Sequence, residues 1–350
     1  MKMLWANKNI NIKNLKNEDN DNIYNKIFYE LNNDGITDYH FTPHKDFVDI
    51  SVRYNGDLIK IEKIFKNQYN RLLNRILINC GLDIIKDFKN LDGSFELNDN
   101  FYRVSFMKSF FGISCVMRKL KNIEKININI PTKIEKKILE YVNNKSGLII
   151  FSGPTGSGKT TTLNYYLNKL KDKMKIHTID NPIEYIISGI VQISLLNNES
   201  IDILKYILRQ DPELISVGEI RERSYAKFLF ETITTGHYVF STVHSDSIEN
   251  VLNRFYSMGI KNEIIKFTDM ILNQRLLPGI CKNCKGKGCK ECMNTGKKGF
   301  FSIFDCLILN DDVKKYLLNN TLNFEKIKNF NFISKEEQFK DLKEKGLLYF

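Results

Sequence analysis

The residues Gly153-Pro154-Thr155-Gly156-Ser157-Gly158-Lys159-Thr160 stand between a short apolar run and a helical pattern. They meet every fixed position of G-x-x-x-x-G-K-[ST]. Glycines let backbone N–H groups turn onto a phosphate chain where side chains would obstruct them. Lys159 supplies a cation for the β- and γ-phosphates of a nucleotide, and the Thr160 hydroxyl supplies a ligand for Mg²⁺. A helix opening there adds its positive dipole end, with Thr161 in the first turn. A second cluster, Cys281, Cys284, Cys289 and Cys292, is spaced C-x2-C-x4-C-x2-C. Each C-x2-C turn presents two thiolates to one tetrahedral ion, and the glycines between them let the chain fold back tightly. Zn²⁺ suits that set; the spacing differs from an iron–sulfur run. Four thiolates fill the coordination sphere, so the metal is expected to be structural.

These residues need elements to place them. The first 21 residues are polar, Asn- and Lys-rich and aperiodic, a candidate disordered tail. A helix-like stretch, "NIYNKIFYELNN", comes next. "FVDISVRYNGDLIKIEKI" then alternates around Asn55-Gly56, a hairpin signal. "FYRVSFMKSFFGISCVMRKL" reads as a second hairpin. Together they predict a small α+β domain over residues 22–122. Residues 123–131 read as a polar linker closed by Pro131.

After the linker the rhythm changes. "SGLIIFSG", "KIHTID", "GIVQIS", "ELISVGEI" and "HYVFSTVH" are strand candidates separated by helix-length segments. Strands alternating with helices predict an α/β domain over residues 132–310, with a mainly parallel sheet covered on both faces. "LISVGE" reads as an apolar strand that carries Glu219 to its tip. Residues 311–350 look helical and basic.

Composition excludes several classes. No apolar run approaches the roughly 18 residues of a membrane-spanning helix, and the first residues lack the apolar core of a secretory signal. Seven cysteines, four of them clustered, suit one metal site in a reducing compartment better than a disulfide framework. The cytoplasm is the expected location. The net charge of +11 suits an acidic partner, although the lysines are scattered.

In the second hairpin, a loop of Ser109–Gly112 sets Arg103 directly opposite Arg118. Like charges so placed repel by a few tenths of a kcal/mol to about 1 kcal/mol, which favours an anion between or above them.

The loop together with "IDNPIEY", "LRQDPELISVGEIR" and "TTGHYVFSTVH", in that order, resembles the secretion-superfamily traffic ATPases. These drive type IV pilus assembly, type II secretion and competence pseudopili. The resemblance covers roughly residues 22–310 and implies a RecA-like P-loop ATPase domain, a smaller α+β N-terminal domain and a zinc-binding tetracysteine insertion. It makes Glu184, last of "DNPIE", the glutamate that polarises attacking water, although Asp180-Asn181 stands where Glu-Asp is usual. Glu219 matches the family's Walker B glutamate, which acts near Mg²⁺ through water. His237 and His244 match its histidine box. Seven residues apart on extended backbone, the two cannot reach one phosphate. His244 is therefore the candidate γ-phosphate contact and His237 a structural or relay group. The resemblance also implies that Arg103 and Arg118 reach the nucleotide, across a domain or subunit boundary.

"TDYHF", "RYNGDL" and "LDGSF" are drifted echoes of family patterns, with no chemistry assigned. The tetracysteine motif and the strand after it match the assembly and secretion branch; retraction ATPases generally lack the motif. The resemblance implies an ATP-hydrolysing homo-hexamer docked on an inner-membrane platform protein. By analogy it belongs with the smaller competence or Gram-positive-type motors, which lack a long N-terminal regulatory region. Two other readings stay open: a DNA-translocating conjugation-type ATPase, against which stands the absence of a basic stripe interleaved with aromatics, and a non-hydrolysing nucleotide-gated scaffold.

Overall fold

The computed structural model describes residues 24–25, 27–28, 36–54, 57–82, 90–98, 100–180, 183–194, 203–220, 223–289, 292, 295–319 and 323–349. The polar tail, the Asn55-Gly56 turn, Asn181 and Arg221 lie outside the described residues, as does most of the first helix-like stretch. The chain divides into two compact units, residues 1–121 and 122–350.

In the first unit, six antiparallel strands form one sheet: β1 (Ile36–Pro43), β2 (Phe47–Tyr54), β3 (Asp57–Phe65), β4 (Leu91–Leu97), β5 (Asn100–Ser109) and β6 (Gly112–Lys119). Their order is β3-β2-β1-β6-β5-β4. The pairing of Tyr54 with Asp57 leaves a two-residue connection, as an Asn-Gly turn requires. Helix α1 (Lys66–Asn79) buries Tyr69, Leu72, Leu73, Ile76 and Leu77, one face at i, i+3, i+4, i+7 spacing. That stripe joins Phe41, Val48, Ile50, Val104, Phe106 and Met117 from alternate strand positions in one core.

The second unit holds an eight-stranded sheet. Its strands are β7 (Gly147–Gly153), β8 (Ile176–Asp180), β9 (Val191–Ser194), β10 (Leu214–Glu219), β11 (Tyr238–His244), β12 (Thr268–Ile280), β13 (Lys297–Ile308) and β14 (Phe332–Ile333). The order is β9-β8-β10-β11-β7-β12-β13-β14. The pairs from β9 through to β12 are parallel; β12–β13 and β13–β14 are antiparallel. All seven residues of β7 are buried, which fits a strand covered on both faces. The helices are α2 (Thr132–Val142), α3 (Lys159–Leu170), α4 (Ile203–Leu208), α5 (Arg223–Thr234), α6 (Ile248–Ser257), α7 (Lys261–Phe267), α8 (Asp311–Asn319), α9 (Phe324–Lys328) and α10 (Lys335–Glu344). Two apolar clusters cover the sheet. One is centred on α5, α6 and α7, the other on α2 and α3.

The segment read as a linker contributes Ile123, 1% exposed, to the second cluster, with Ile126 and Ile130 packed beside it. The last forty residues are helical in part, but they also supply β14 and a returning tail. Ile280 N–H donates to Leu347 O at 2.9 Å, and Tyr349 N–H to Pro278 O at 3.0 Å. The tail thus closes on the stem of the β12–β13 hairpin, whose tip carries the cysteines. Apolar residues on this strand face (Leu277, Phe301, Ile303) match Phe339, Leu342 and Leu348.

Gly296 is packed against that tail. Its φ is +73°, and a Cβ there would land on the Gly286 carbonyl oxygen and 2.7 Å from the Tyr349 ring. Gly299 has nearly the same φ, +72°, with nothing within 4 Å. Gly299→Ala should cost about 1–2 kcal/mol through backbone strain alone. Gly296→Ala should cost more and speed tryptic cleavage at the lysines of residues 281–300. Equal protease sensitivity in the two variants would contradict the packing.

Candidate active site

In open parallel sheets, the carboxyl ends of the strands are where loops can converge on a ligand. Four adjacent strands end here: β7 in Gly153, β10 in Glu219 and β11 in His244, all three singled out from sequence, and β8 in Asp180, which was not. The glycine loop leaves β7 and enters α3 through Gly158, which takes the left-handed conformation (φ +85°) at the N-cap. A Cβ at Gly158 would stand 2.9 Å from Gln274 Nε2, and one at Gly153 would land on Ser157 Oγ. The loop is therefore closed behind by protein. Gly156 has open space, with nothing within 4 Å of a Cβ, while Thr155 is exposed.

Lys159 is the centre of the arrangement. It is 6% exposed, and its ammonium donates to Pro154 O at 3.1 Å and lies 3.4 Å from His244 Nδ1. No carboxylate of the described residues pairs with it directly. Burial pulls its pKa down, and the charges of Glu219 and Glu184 offset this in part. An ammonium only donates, so His244 Nδ1 must be the acceptor and Nε2 carries the ring hydrogen. That edge faces Glu219 Oε2 at 3.8 Å. Ser157 Oγ is buried with no hydrogen-bond partner. A buried cation without a neighbouring carboxylate contact, an unpartnered buried hydroxyl and a helix N-terminus together suit an anion.

Supporting contacts hold the strand tips in register. Thr242 Oγ1 donates to Gly218 O at 2.6 Å, across the irregularity in β10 that precedes Glu219. Arg254 on α6 donates to His244 O at 3.2 Å and to Ile220 O at 3.3 Å, joining the two tips. Glu184 is exposed. Its neighbour Tyr185 ties this stretch to the loop, since the Tyr185 and Thr161 hydroxyls share a 2.7 Å hydrogen bond. Asn164 Nδ2 donates to Thr160 O at 2.8 Å. His237 lies at the other end of β11, where Nδ1 meets Thr235 Oγ1 at 3.0 Å and Thr232 O at 3.2 Å. The structure brings His244, not His237, to Lys159.

Arg103 and Arg118 are cross-strand partners in the first unit. Their repulsion has a local answer that sequence reasoning did not anticipate. Arg118 Nε donates to buried Asp38 Oδ1 at 2.7 Å. Burial raises the Asp38 pKa, but the Thr37 hydroxyl and Arg118 outweigh it and leave the net shift downward. Asp38 is thus the counter-charge for Arg118; Arg103 has no ion pair among the described residues.

The four cysteine sulfurs all lie within 4.8 Å of one another. Three of the pairs are 3.9 Å (Cys281–Cys289), 3.6 Å (Cys284–Cys292) and 3.7 Å (Cys289–Cys292). A tetrahedron with metal–sulfur bonds of about 2.3 Å has edges of about 3.8 Å, so the set fits one ion. Backbone N–H groups of Gly288 and Cys289 donate to Cys284 and Cys292 sulfurs at 3.2 Å each. Burial pushes the Cys292 thiol up, but the Cys289 and Gly296 amides and neighbouring thiols bring it down to about 6.

Fold and site together define a two-unit α/β protein with a glycine loop around a buried lysine at the carboxyl ends of its parallel strands and a separate cluster of four cysteines. A sequence profile described as Type II/IV secretion system protein matches residues 16–347. The chain belongs to that family. It is 30% identical to the type II secretion system protein E of Pectobacterium carotovorum subsp. carotovorum, over 83% of this chain and 66% of the relative. It is 28% identical to the type IV pilus assembly ATPase PilB of Thermus thermophilus, over 89% of this chain and 39% of the relative. It thus spans less than two thirds of the length of either. The fold is shared with a crystal structure of the pilus retraction motor PilT with bound ADP (TM-score 0.71, 22% identity, 93% of this chain and 94% of that one). It is shared too with the Legionella pneumophila ATPase DotB (TM-score 0.67, 19% identity, 93% of each). Among the described residues no helix is long and apolar enough to cross a membrane.

Asp180 carries no role on sequence grounds, because it departs from the family pattern. Burial pushes its carboxyl up to about 6, against the Thr178 hydroxyl that donates to it at 2.8 Å, while Glu184 adds repulsion. A folded pKa above the usual 3.8 means that the native state holds this proton more tightly. The associated stability is complete below about pH 4 and is lost as pH rises through 6. Two units amount to roughly 3 kcal/mol. In metal-free protein, Asp180→Asn should melt several degrees above wild type at pH 8, and the gap should close as pH falls from 7 to 5. A gap independent of pH would refute the assignment.

Proposed function

We propose that this chain is an ATPase, working as a ring of six copies, that powers assembly of a type IV pilus or of a type II secretion or competence pseudopilus. The observation that supports this best is the meeting of Lys159, Glu219 and His244 around one glycine cradle in a member of this family. Gly153 to Thr161 hold the triphosphate in a RecA-like P-loop site, with Lys159 against its β- and γ-phosphates. The Thr160 hydroxyl, and Glu219 through water, would hold Mg²⁺, which neutralises charge on the phosphate oxygens when bound. Glu184, already felt by Lys159, orients the attacking water and takes its proton.

His244 has a reading role that comes from its contact. The ammonium has three donors, and Pro154 O and His244 Nδ1 take two of them. The third serves a phosphate oxygen, so Lys159 binds the γ-phosphate with the His244 ring held beside it. Arg103 adds positive charge toward the nucleotide across a subunit boundary, with Arg118 held by Asp38 beside it. Cys281, Cys284, Cys289 and Cys292 hold a structural Zn²⁺. The chain acts in the cytoplasm, on the inner face of the membrane, docked to a platform protein.

Phosphate release from Mg-ATP by purified protein, with and without the platform protein, tests this. Glu184→Gln should lower turnover by about 100-fold or more while nucleotide still binds, and Lys159→Ala should lose binding. A wild type that leaves ATP intact beside its platform protein would support a nucleotide-gated scaffold instead. Elemental analysis should give about one zinc per chain, falling in Cys284→Ser together with the melting temperature. A metal-free wild type of unchanged stability would reject the zinc site.

A further inference from the structure

Strand β12 reads Thr-Asp-Met-Ile-Leu-Asn-Gln-Arg-Leu-Leu-Pro-Gly-Ile, and both amides at its centre are buried, Asn273 at 0% and Gln274 at 3%. A buried amide is costly unless it is hydrogen-bonded, by about 1–3 kcal/mol. Apolar side chains would fill either position without that cost. What the amides hold is therefore informative.

Consecutive strand residues face opposite sides of the sheet. On one side, Asn273 Nδ2 donates to Ser152 Oγ and to Ser245 O, both at 3.0 Å. Ser152 immediately precedes the glycine loop, and Ser245 comes immediately after His244. On the other side, Gln274 Oε1 accepts from the Thr162 hydroxyl at 2.8 Å, and its Nε2 donates to Ser302 Oγ at 3.1 Å. Thr162 lies in the first turn of α3, 0% exposed. The Gln274 carbonyl oxygen sits 2.6 Å from where a Cβ on Gly153 would be, and its Nε2 sits 2.9 Å from a Cβ on Gly158. Gln274 thus touches the glycine loop at both ends and grips the helix beyond it.

We propose that Asn273 and Gln274 are positioning residues of opposite duty: Gln274 fixes the glycine loop against α3, and Asn273 fixes His244 relative to that loop. Neither touches the nucleotide. The proposal rests on reading the loop as the ATP site. A loop held in the bound conformation lowers the cost of ordering it around phosphates, so Gln274 governs ground-state binding. His244 responds to the γ-phosphate, so Asn273 governs the step after binding.

The test is steady-state hydrolysis of Mg-ATP by the full chain, with equilibrium binding of ADP measured separately. Gln274→Met should raise KM and the ADP Kd about tenfold, with kcat within about threefold. Asn273→Leu should lower kcat about tenfold, with KM within about threefold. Thr162→Val removes the Gln274 hydrogen bond from the helix side and should reproduce the KM rise; it carries that arm alone if Gln274→Met does not fold. The Gln274→Met, Thr162→Val double variant should be no worse than the larger single one, because both remove the same bond. A wild type that fails to bind ADP defeats the reading of the site. A wild type that binds, with Gln274→Met and Thr162→Val at wild-type KM, additive effects in the double variant, or the same loss of kcat and KM in all variants, overturns this proposal.

Discussion

A lysine ammonium enclosed by protein, with no carboxylate of the described residues in contact, is the constraint on which the second unit depends. Burying Lys159 at the mouth of a helix is unfavourable on two counts, desolvation and the helix dipole. The fold does not relieve this with an ion pair. It offers a backbone carbonyl, an imidazole nitrogen and two carboxylates whose charge is felt from a distance. The site is left short of negative charge at one point. That deficit favours an anion, and open space remains beside the loop at Gly156.

The sheet explains how such a point is maintained. Strand β7 lies between β11 and β12, so the glycine loop has His244 on one flank and the amide pair on the other. Next beyond β11 is β10 with Glu219, and beyond that β8 with Asp180. Three of these tips are pinned from outside their own strand: Thr242 to Gly218, Arg254 to His244 and Ile220, Asn273 to Ser152 and Ser245. A shift in one of these three is felt by the next. Asp180 is held from within β8, by Thr178.

Much of this was legible in sequence, for identifiable reasons. Five of the six parallel strands announce themselves because each is a short apolar run closed by turn residues and, in four of them, by a residue able to do chemistry. The Arg103–Arg118 register comes from loop length and is what the strands adopt. Three features were hidden. Asp38 sits one strand away from Arg118 but eighty residues earlier, so no local pattern joins them. The C-terminal forty residues carry helical periodicity, yet β14 is two residues long and the tail pairs with β12 only through non-local contacts. The amides of β12 are easily overlooked because they interrupt an apolar run, which weakens its pattern as a strand. That interruption was the available signal: the two amides that stand with Arg275 between Met270-Ile271-Leu272 and Leu276-Leu277 have no reason to be there unless they are bonded.

The cysteine centre is tied to the glycine loop through β12. This strand begins beside the core, passes the loop at Gln274 and ends at Ile280, one residue before Cys281. Its partner β13 carries Ser302, which Gln274 holds, and starts just after the last cysteine turn. A hairpin with an open tip would fray from that end, and fraying would travel toward Gln274 along consecutive pairs. The tail of the chain, closed over the stem at Pro278 and Ile280, opposes this, and the proposed metal at the four sulfurs would add to it.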